Sequence, residues 1–220
     1  DTKVEDEDLY RFLVESSYKL DIPITNYSDG RNIWEIFKER NFLSNSRIDH
    51  CSQYLKRSMS KKFIKQYKPD ECVIYLGFDW TEINRFEKAQ KAWLPHTIKS
   101  PLCEPPYIDK EDMKRLISED GIELPRLYKM GFAHNNCGGG CVKAGIGHFA
   151  KLYKEFPERF ALWEKNEQEM RDYLGKDVSI LRRMKDGIKY KLPLKQLRNE
   201  IDTLSNSELC DIGGCGCFQQ

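Results

Sequence analysis

Apolar residues recur at helical spacing in several stretches of this chain and run together in one short block, which predicts helices packed against buried strand. Leu9, Phe12, Leu13 and Leu20 follow acidic residues suited to a helix N-terminus, and residues 21–27 then read as a short extended segment around Pro23. Ile33, Trp34, Ile36 and Phe37 mark a helix over 32–42. A lysine-rich helix follows over 52–66, with Cys51 at its first turn. The run Cys72-Val73-Ile74-Tyr75-Leu76-Gly77-Phe78 is apolar without alternation, which predicts a buried strand of a parallel sheet. Residues 79–93 read as a charged helix and 95–106 as a loop, because four prolines oppose helix there. Asp109 is placed to cap a helix over 109–120 that buries Met113, Leu116 and Ile117 and stops at Gly121.

Residues 146–173 form a helical pattern broken near Pro157, and 176–220 read as a looser tail with one amphipathic stretch at 192–201. Helices alternating with short strands imply an α/β fold, a Rossmann-like layered parallel sheet with helices on both faces. The expected units are residues 1–147, holding that sheet, and 148–220, a helical extension with a cysteine-glycine tail. The loops after Asp1, Gly77 and Gly131 then lie near the carboxyl ends of strands, where such sheets bind ligands.

Charge and cysteine content narrow the picture. The 36 basic and 35 acidic residues leave a net charge of +1, which opposes a wholesale grip on nucleic acid and permits a local basic patch. No apolar run has spanning length, so no membrane partner is expected. The eight cysteines cluster with glycine, and metal or redox chemistry in a reducing cytoplasm is expected over a disulfide framework.

The densest chemistry lies in Asn135-Asn136-Cys137-Gly138-Gly139-Gly140-Cys141. Glycine lets amides approach a bound anion or sulfide, and two thiols fill half a tetrahedral site, so other cysteines must complete it. Cys215 and Cys217, behind Cys210, sit in a glycine-rich tail where a thiol can swing toward substrate, join a second metal site, or do neither. Cys72 reads as core, and Cys103 as either a fourth ligand or a packed loop thiol. Lys56, Arg57 and Arg85 suit phosphate or sulfate, while Lys61, Lys62 and Lys65 make a solvated basic face an equal reading for the first two. Asp79 and Glu82 suit magnesium, or Glu82 pairs with Arg85 one helical turn away. His134 either supports the thiols or is an ordinary loop histidine.

The order of these landmarks resembles the phosphoadenosine-phosphosulfate reductase family, within the adenine-nucleotide α-hydrolases that carry a pyrophosphate-binding loop, from Asp1 to about Gly147. Asp1-Thr2, ahead of Tyr10-Arg11-Phe12-Leu13, is similar to the family's Asp-Thr-Gly segment, with Lys3 in place of the glycine. His50-Cys51-Ser52-Gln53-Tyr54-Leu55-Lys56-Arg57 is similar to the segment where cluster-bearing members place two adjacent cysteines before a basic pair, with His50 replacing one. Leu76-Gly77-Phe78-Asp79-Trp80-Thr81-Glu82-Ile83-Asn84-Arg85 is similar to a strand-to-loop segment ending in an arginine that faces nucleotide or sulfate, with Asp79 near the place of a first arginine. The most specific block is Gly121-Ile122-Glu123-Leu124-Pro125-Arg126-Leu127-Tyr128-Lys129-Met130-Gly131-Phe132, which leads into the cysteine loop. The tail Gly213-Gly214-Cys215-Gly216-Cys217-Phe218 departs from the family's Glu-Cys-Gly type.

The resemblance implies an adenine-nucleotide-dependent enzyme of sulfur metabolism. Either ATP drives sulfur transfer to an unknown acceptor, nucleic acid among the options, or a sulfonucleotide is reduced. Cys51, Cys137 and Cys141 are then expected to hold a [4Fe–4S] cluster or zinc, with Cys51, Cys215 and Cys217 in catalysis. Asp1, Thr2, Lys56, Arg57, Asp79, Glu82 and Arg85 are expected at the nucleotide, with magnesium and a sulfur donor or reductant as co-reactants. The family's first strand and phosphate loop belong ahead of Asp1, so the chain reads as incomplete at its N-terminus and inactive alone. The competing expectation is a non-catalytic zinc-stabilised module whose basic helix after Cys51 touches nucleic acid.

Overall fold

Asp6 starts the first helix: its carboxylate accepts from the Asp8 N–H and opens α1, Glu7–Leu20. The computed structural model describes residues 1–213, so Cys215 and Cys217 lie outside the described residues. The apolar stripe of α1 reaches no core. None of its residues is buried, and Leu13 and Val14 are 38% and 66% exposed. Residues 21–27 are exposed and form no strand. α2, Ile33–Glu39, follows the expected pattern, closed by a reciprocal cap between Asn32 and Glu35 and burying Ile33, Ile36 and Phe37. The helix expected over 52–66 begins as a wide π-turn, Ser52–Arg57, directly after Cys51 and tightens into α3, Ser58–Ile64.

β1, Val73–Tyr75, pairs in parallel with β2, Thr97–Lys99, with Ile74 opposite Ile98. This corrects two expectations. β2 falls inside the segment read as loop, and β1 is only half-buried, with Val73 and Tyr75 turned to solvent. Among the described residues no layer covers that outer face, a fact about neighbours that a run of apolar residues cannot contain. Cys72 is likewise only half-buried, not core. α4, Ile83–Ala92, follows a 3₁₀ turn at Trp80–Glu82 and packs on the pair, so that Phe78, Ala89, Trp93 and Ile98 make a small core. α5, Lys110–Glu119, is capped by Asp109 as expected, yet buries none of its residues; Leu116 is 41% exposed. α6, Arg126–Lys129, leads to the cysteine loop.

The main core gathers α2, Leu55, the cysteine loop, α7 (Ile146–Glu155) and α8 (Pro157–Leu174) on both sides of residue 147. Pro157 opens α8, since a proline lacks the N–H that a first helical turn leaves unused. The segment expected to be a loose tail folds back onto this core. β3 (Leu181–Lys185) and β4 (Ile188–Leu192) form an antiparallel hairpin, followed by α9 (Leu194–Glu200) and α10 (Asn206–Leu209). Asp186 and Gly187 both take positive φ, 51° and 75°, as a tight two-residue hairpin turn demands, and that Asp-Gly pair was the overlooked signal. The fold is mixed α/β, dominated by helix around one small parallel pair. No described helix is long and apolar enough to cross a membrane.

Candidate functional site

The cysteine loop is shaped by backbone that few residues accept. Cys137, Gly138 and Gly139 have φ of 51°, 59° and 85°, a left-handed run that two glycines adopt freely and Cys137 only at a cost. At Gly140 an added β-carbon would lie 2.3 Å from Nε1 of Trp163, so glycine alone lets the indole cover the loop. The ring of His148 donates from Nε2 to the Gly139 carbonyl at 2.9 Å, and Arg159 donates to the Gly138 carbonyl at 2.6 Å.

These clamps bury the Cys137 and Cys141 side chains against each other. The Cys141 contact and then burial push the Cys137 thiol well above its ordinary pKa, because a thiolate there meets a second sulfur and little solvent. Cys51 arrives from the other side, ahead of the π-turn. All three cysteines line one cavity of about 20 Å³, together with Thr2, Lys56 and Lys143. That volume suits one water or one small ion. Among the described residues, no disulfide joins the cysteines, and no three His, Cys, Asp or Glu side chains already stand as a metal-holding group.

Glu5 ties the cavity wall together. It accepts from the Thr2 hydroxyl at 2.9 Å and from the Cys137 N–H at 2.5 Å, and it pairs with Lys56 at 3.4 Å. Asp49 meets Lys143 at 3.4 Å and Arg57 at 3.7 Å. Sequence reasoning did not place Glu5, Asp49 or Lys143 at this site. Glu5 read as part of the acidic entry to α1, and no local pattern marks the other two.

Thr2 and Lys56 also border a second cavity of about 660 Å³, walled by apolar side chains of α1, α3 and β1 such as Leu13, Phe63 and Ile74. Of the residues expected at a nucleotide, Asp1, Thr2 and Lys56 line this cavity. Arg57 faces a separate polar cleft with Arg47 and Lys61. Asp79, Glu82 and Arg85 are not on its walls. Asp79 instead accepts from the Thr81 N–H at 2.8 Å, and Arg85 pairs with Glu82 while lying 5.0 Å over the Phe78 ring. Cys103 donates to the Asp79 carbonyl at 3.3 Å inside the small core, and Cys210 is exposed.

His134 stacks on His148, ring centres 4.5 Å apart, and burial brings its pKa down to about 4. Its Nε2 and both amide atoms of Asn135 are buried without a hydrogen-bond partner among the described residues. No protein-family model, curated protein or solved structure matches this chain.

Proposed function

We propose that this chain contributes the cysteine site to sulfur chemistry on an adenine nucleotide, with β1 and β2 in a Rossmann-like layered sheet and α4 packed on it. One observation carries the reading: Thr2 and Lys56 form a wall common to the three-thiol cavity and to the large apolar cavity. An adenine ring suits the apolar walls, and the Lys56 ammonium attracts the phosphate or sulfate end. That end then lies beside Cys51, the least buried of the three thiols. In the favoured route ATP adenylates an acceptor oxygen with loss of pyrophosphate, and the outer sulfur of a cysteine persulfide supplied by a sulfur donor displaces AMP. A second cysteine thiol then breaks the sulfur–sulfur bond, freeing the thiolated acceptor and leaving a disulfide for a thiol reductant to reopen. In the other, a cysteine thiolate attacks the sulfur of a sulfonucleotide, the S–O bond to AMP breaks, and a thiol reductant frees sulfite.

The donor set of Cys51, Cys137 and Cys141 suits one thiophilic ion such as zinc, whereas a four-iron cluster requires the walls of the 20 Å³ cavity to part. Bound metal would keep these thiols ionised at neutral pH. Asp79, Glu82 and Arg85 have no part in this reading. A second reading, a zinc-stabilised module without catalysis, draws on the burial of Cys137 and Cys141 and the upward shift of the Cys137 thiol.

Trp93 lines the large cavity, so its fluorescence reports occupancy. Titration with ATP and with adenylylsulfate should saturate, and Lys56→Ala should weaken binding about tenfold or more, as loss of a charge-assisted contact does. Arg85→Ala serves as the control and should not alter it. Absence of adenine-nucleotide binding at millimolar concentration defeats the proposal. Unfolding by a chelator in a protein that ignores nucleotides establishes the zinc module instead.

A further inference from the structure

The β3–β4 hairpin presents charge in an arrangement its own stability does not call for. Its base is fixed in the core by Leu181 and Leu192, at 3% and 1% exposure, and everything between Met184 and Tyr190 is exposed. Residues 181–192 hold five basic side chains against the single acid Asp186. Antiparallel register sets Arg182 opposite Lys191 and Met184 opposite Lys189, and directly opposed residues share a face. One face of the ribbon is therefore Arg182, Lys189 and Lys191 around Met184. Like charges facing across strands destabilise a hairpin.

Other basic residues of the hairpin are neutralised at home: Arg183 by Glu200 at 2.6 Å and Glu208 at 2.5 Å, and Lys191 by Asp177 at 3.1 Å. Among the described residues no carboxylate lies within ion-pair reach of Arg182, Lys185 or Lys189. A merely solvated face would not need exposed apolar groups between these cations. Yet Met184 lies between them at 57% exposure, and Ile188 and Tyr190 on the opposite face are 56% and 48% exposed. The acid Asp186 occupies the tip, which argues against tip-first entry into an anionic membrane surface.

We propose that this hairpin is a nucleic-acid-binding ribbon and that its partner is duplex DNA. A two-stranded β-ribbon fits the major groove of B-form DNA, while the deep, narrow major groove of A-form RNA excludes it. Arg182 and Lys189 contact phosphates, Lys185 beside the turn reaches a third, and Met184, on the face of Arg182 and Lys189, meets base edges or thymine methyl groups. The inference does not involve the thiol cavity, and its test uses no adenine nucleotide, so its failure leaves the sulfur reading untouched.

The test is fluorescence anisotropy of a labelled 20-base-pair DNA duplex with the whole chain at several salt concentrations. Binding is expected, with a log–log salt slope of about −3 for three phosphate contacts. The double variant Arg182→Glu, Lys189→Glu should bind at least tenfold more weakly with a shallower slope and an unchanged melting temperature, since both side chains are exposed. Lys88→Glu with Lys91→Glu on α4 makes the same change in net charge elsewhere and should retain binding. No DNA binding, equal loss in the α4 variant, a preference for an A-form RNA duplex, or binding only to phosphatidylserine vesicles each overturns the proposal.

Discussion

Glu167, 1% exposed on α8, accepts from the Ile180 N–H at 2.8 Å and from the Leu194 N–H at 2.5 Å, so one carboxyl fastens both ends of the hairpin to a helix. Burial outweighs those two donors and lifts its pKa to about 7. A carboxyl with a raised folded-state pKa holds its proton more tightly folded than unfolded. Its contribution is therefore full below about pH 4.5 and is lost as pH rises through 7. Urea unfolding should show stability falling by about 2 kcal/mol from this group between pH 5 and 8. Glu167→Gln loses one acceptor and should be less stable than the parent at pH 5, with the gap closing toward pH 8. A constant gap across that range rejects the assignment. Nothing in the local sequence marks Glu167, whose neighbours on α8 are mostly charged and solvated. Cys137 and Cys141 were legible because glycine between thiols has a chemical meaning that needs no context.

Elements with a capping residue and a periodic apolar face were legible as helices, though α5 buries none of the residues its pattern promised. Asn32 with Glu35 starts α2, Asp109 starts α5, and Pro157 divides α7 from α8. Elements that depend on a partner were not. β2 exists because β1 lies beside it, and the hairpin reads as charged loop until its Asp-Gly turn is weighed. The cysteine loop is an element of this second kind, since Trp163 of α8 closes over Gly140. Gly140→Ala should destabilise the protein by about 2–4 kcal/mol through overpacking and should expose the loop thiols. Gly187→Ala, where nothing lies within 4 Å of the added carbon, should cost only about 1 kcal/mol through its positive φ. Denaturant melts with thiol-reaction rates measure both, and equal effects at the two positions would defeat the packing argument.

Across the whole molecule, Asp6 is the point where distant parts meet. Fully buried, it caps α1, pairs with Arg126 at 2.8 Å and with Arg159 at 2.9 Å, and through Arg159 reaches the Gly138 carbonyl. Burial works to raise its pKa, but hydrogen bonds from Arg126 and Arg159 prevail and lower it. Asp6 thus stabilises the fold above the ordinary carboxylate range and loses that contribution as pH falls through its lowered pKa. Asp6→Ala should cost about 3 kcal/mol, because two guanidinium groups lose their shared partner, and should speed modification of Cys137. A variant that melts like the parent, with unchanged thiol reactivity, would remove Asp6 from this role. The large apolar cavity also belongs to this scale, assembled from α1, α3 and β1, none of which announces it alone.

The sequence by itself determined where most helices begin and end, that one short strand follows Cys72, and that cysteine and glycine concentrate at one loop. Caps, turns and periodicity act between residues a few positions apart, so they can be read along the chain. Only the tertiary structure decided that Cys51, which the resemblance grouped with Cys137 and Cys141, shares a cavity with them, that Thr2 and Lys56 stand between two cavities, and that Asp49 meets Lys143. It also left Val73 and Tyr75 of an apolar run facing solvent. Burial and ion pairing are set by whichever surface arrives from elsewhere in the chain, and no local pattern encodes that arrival.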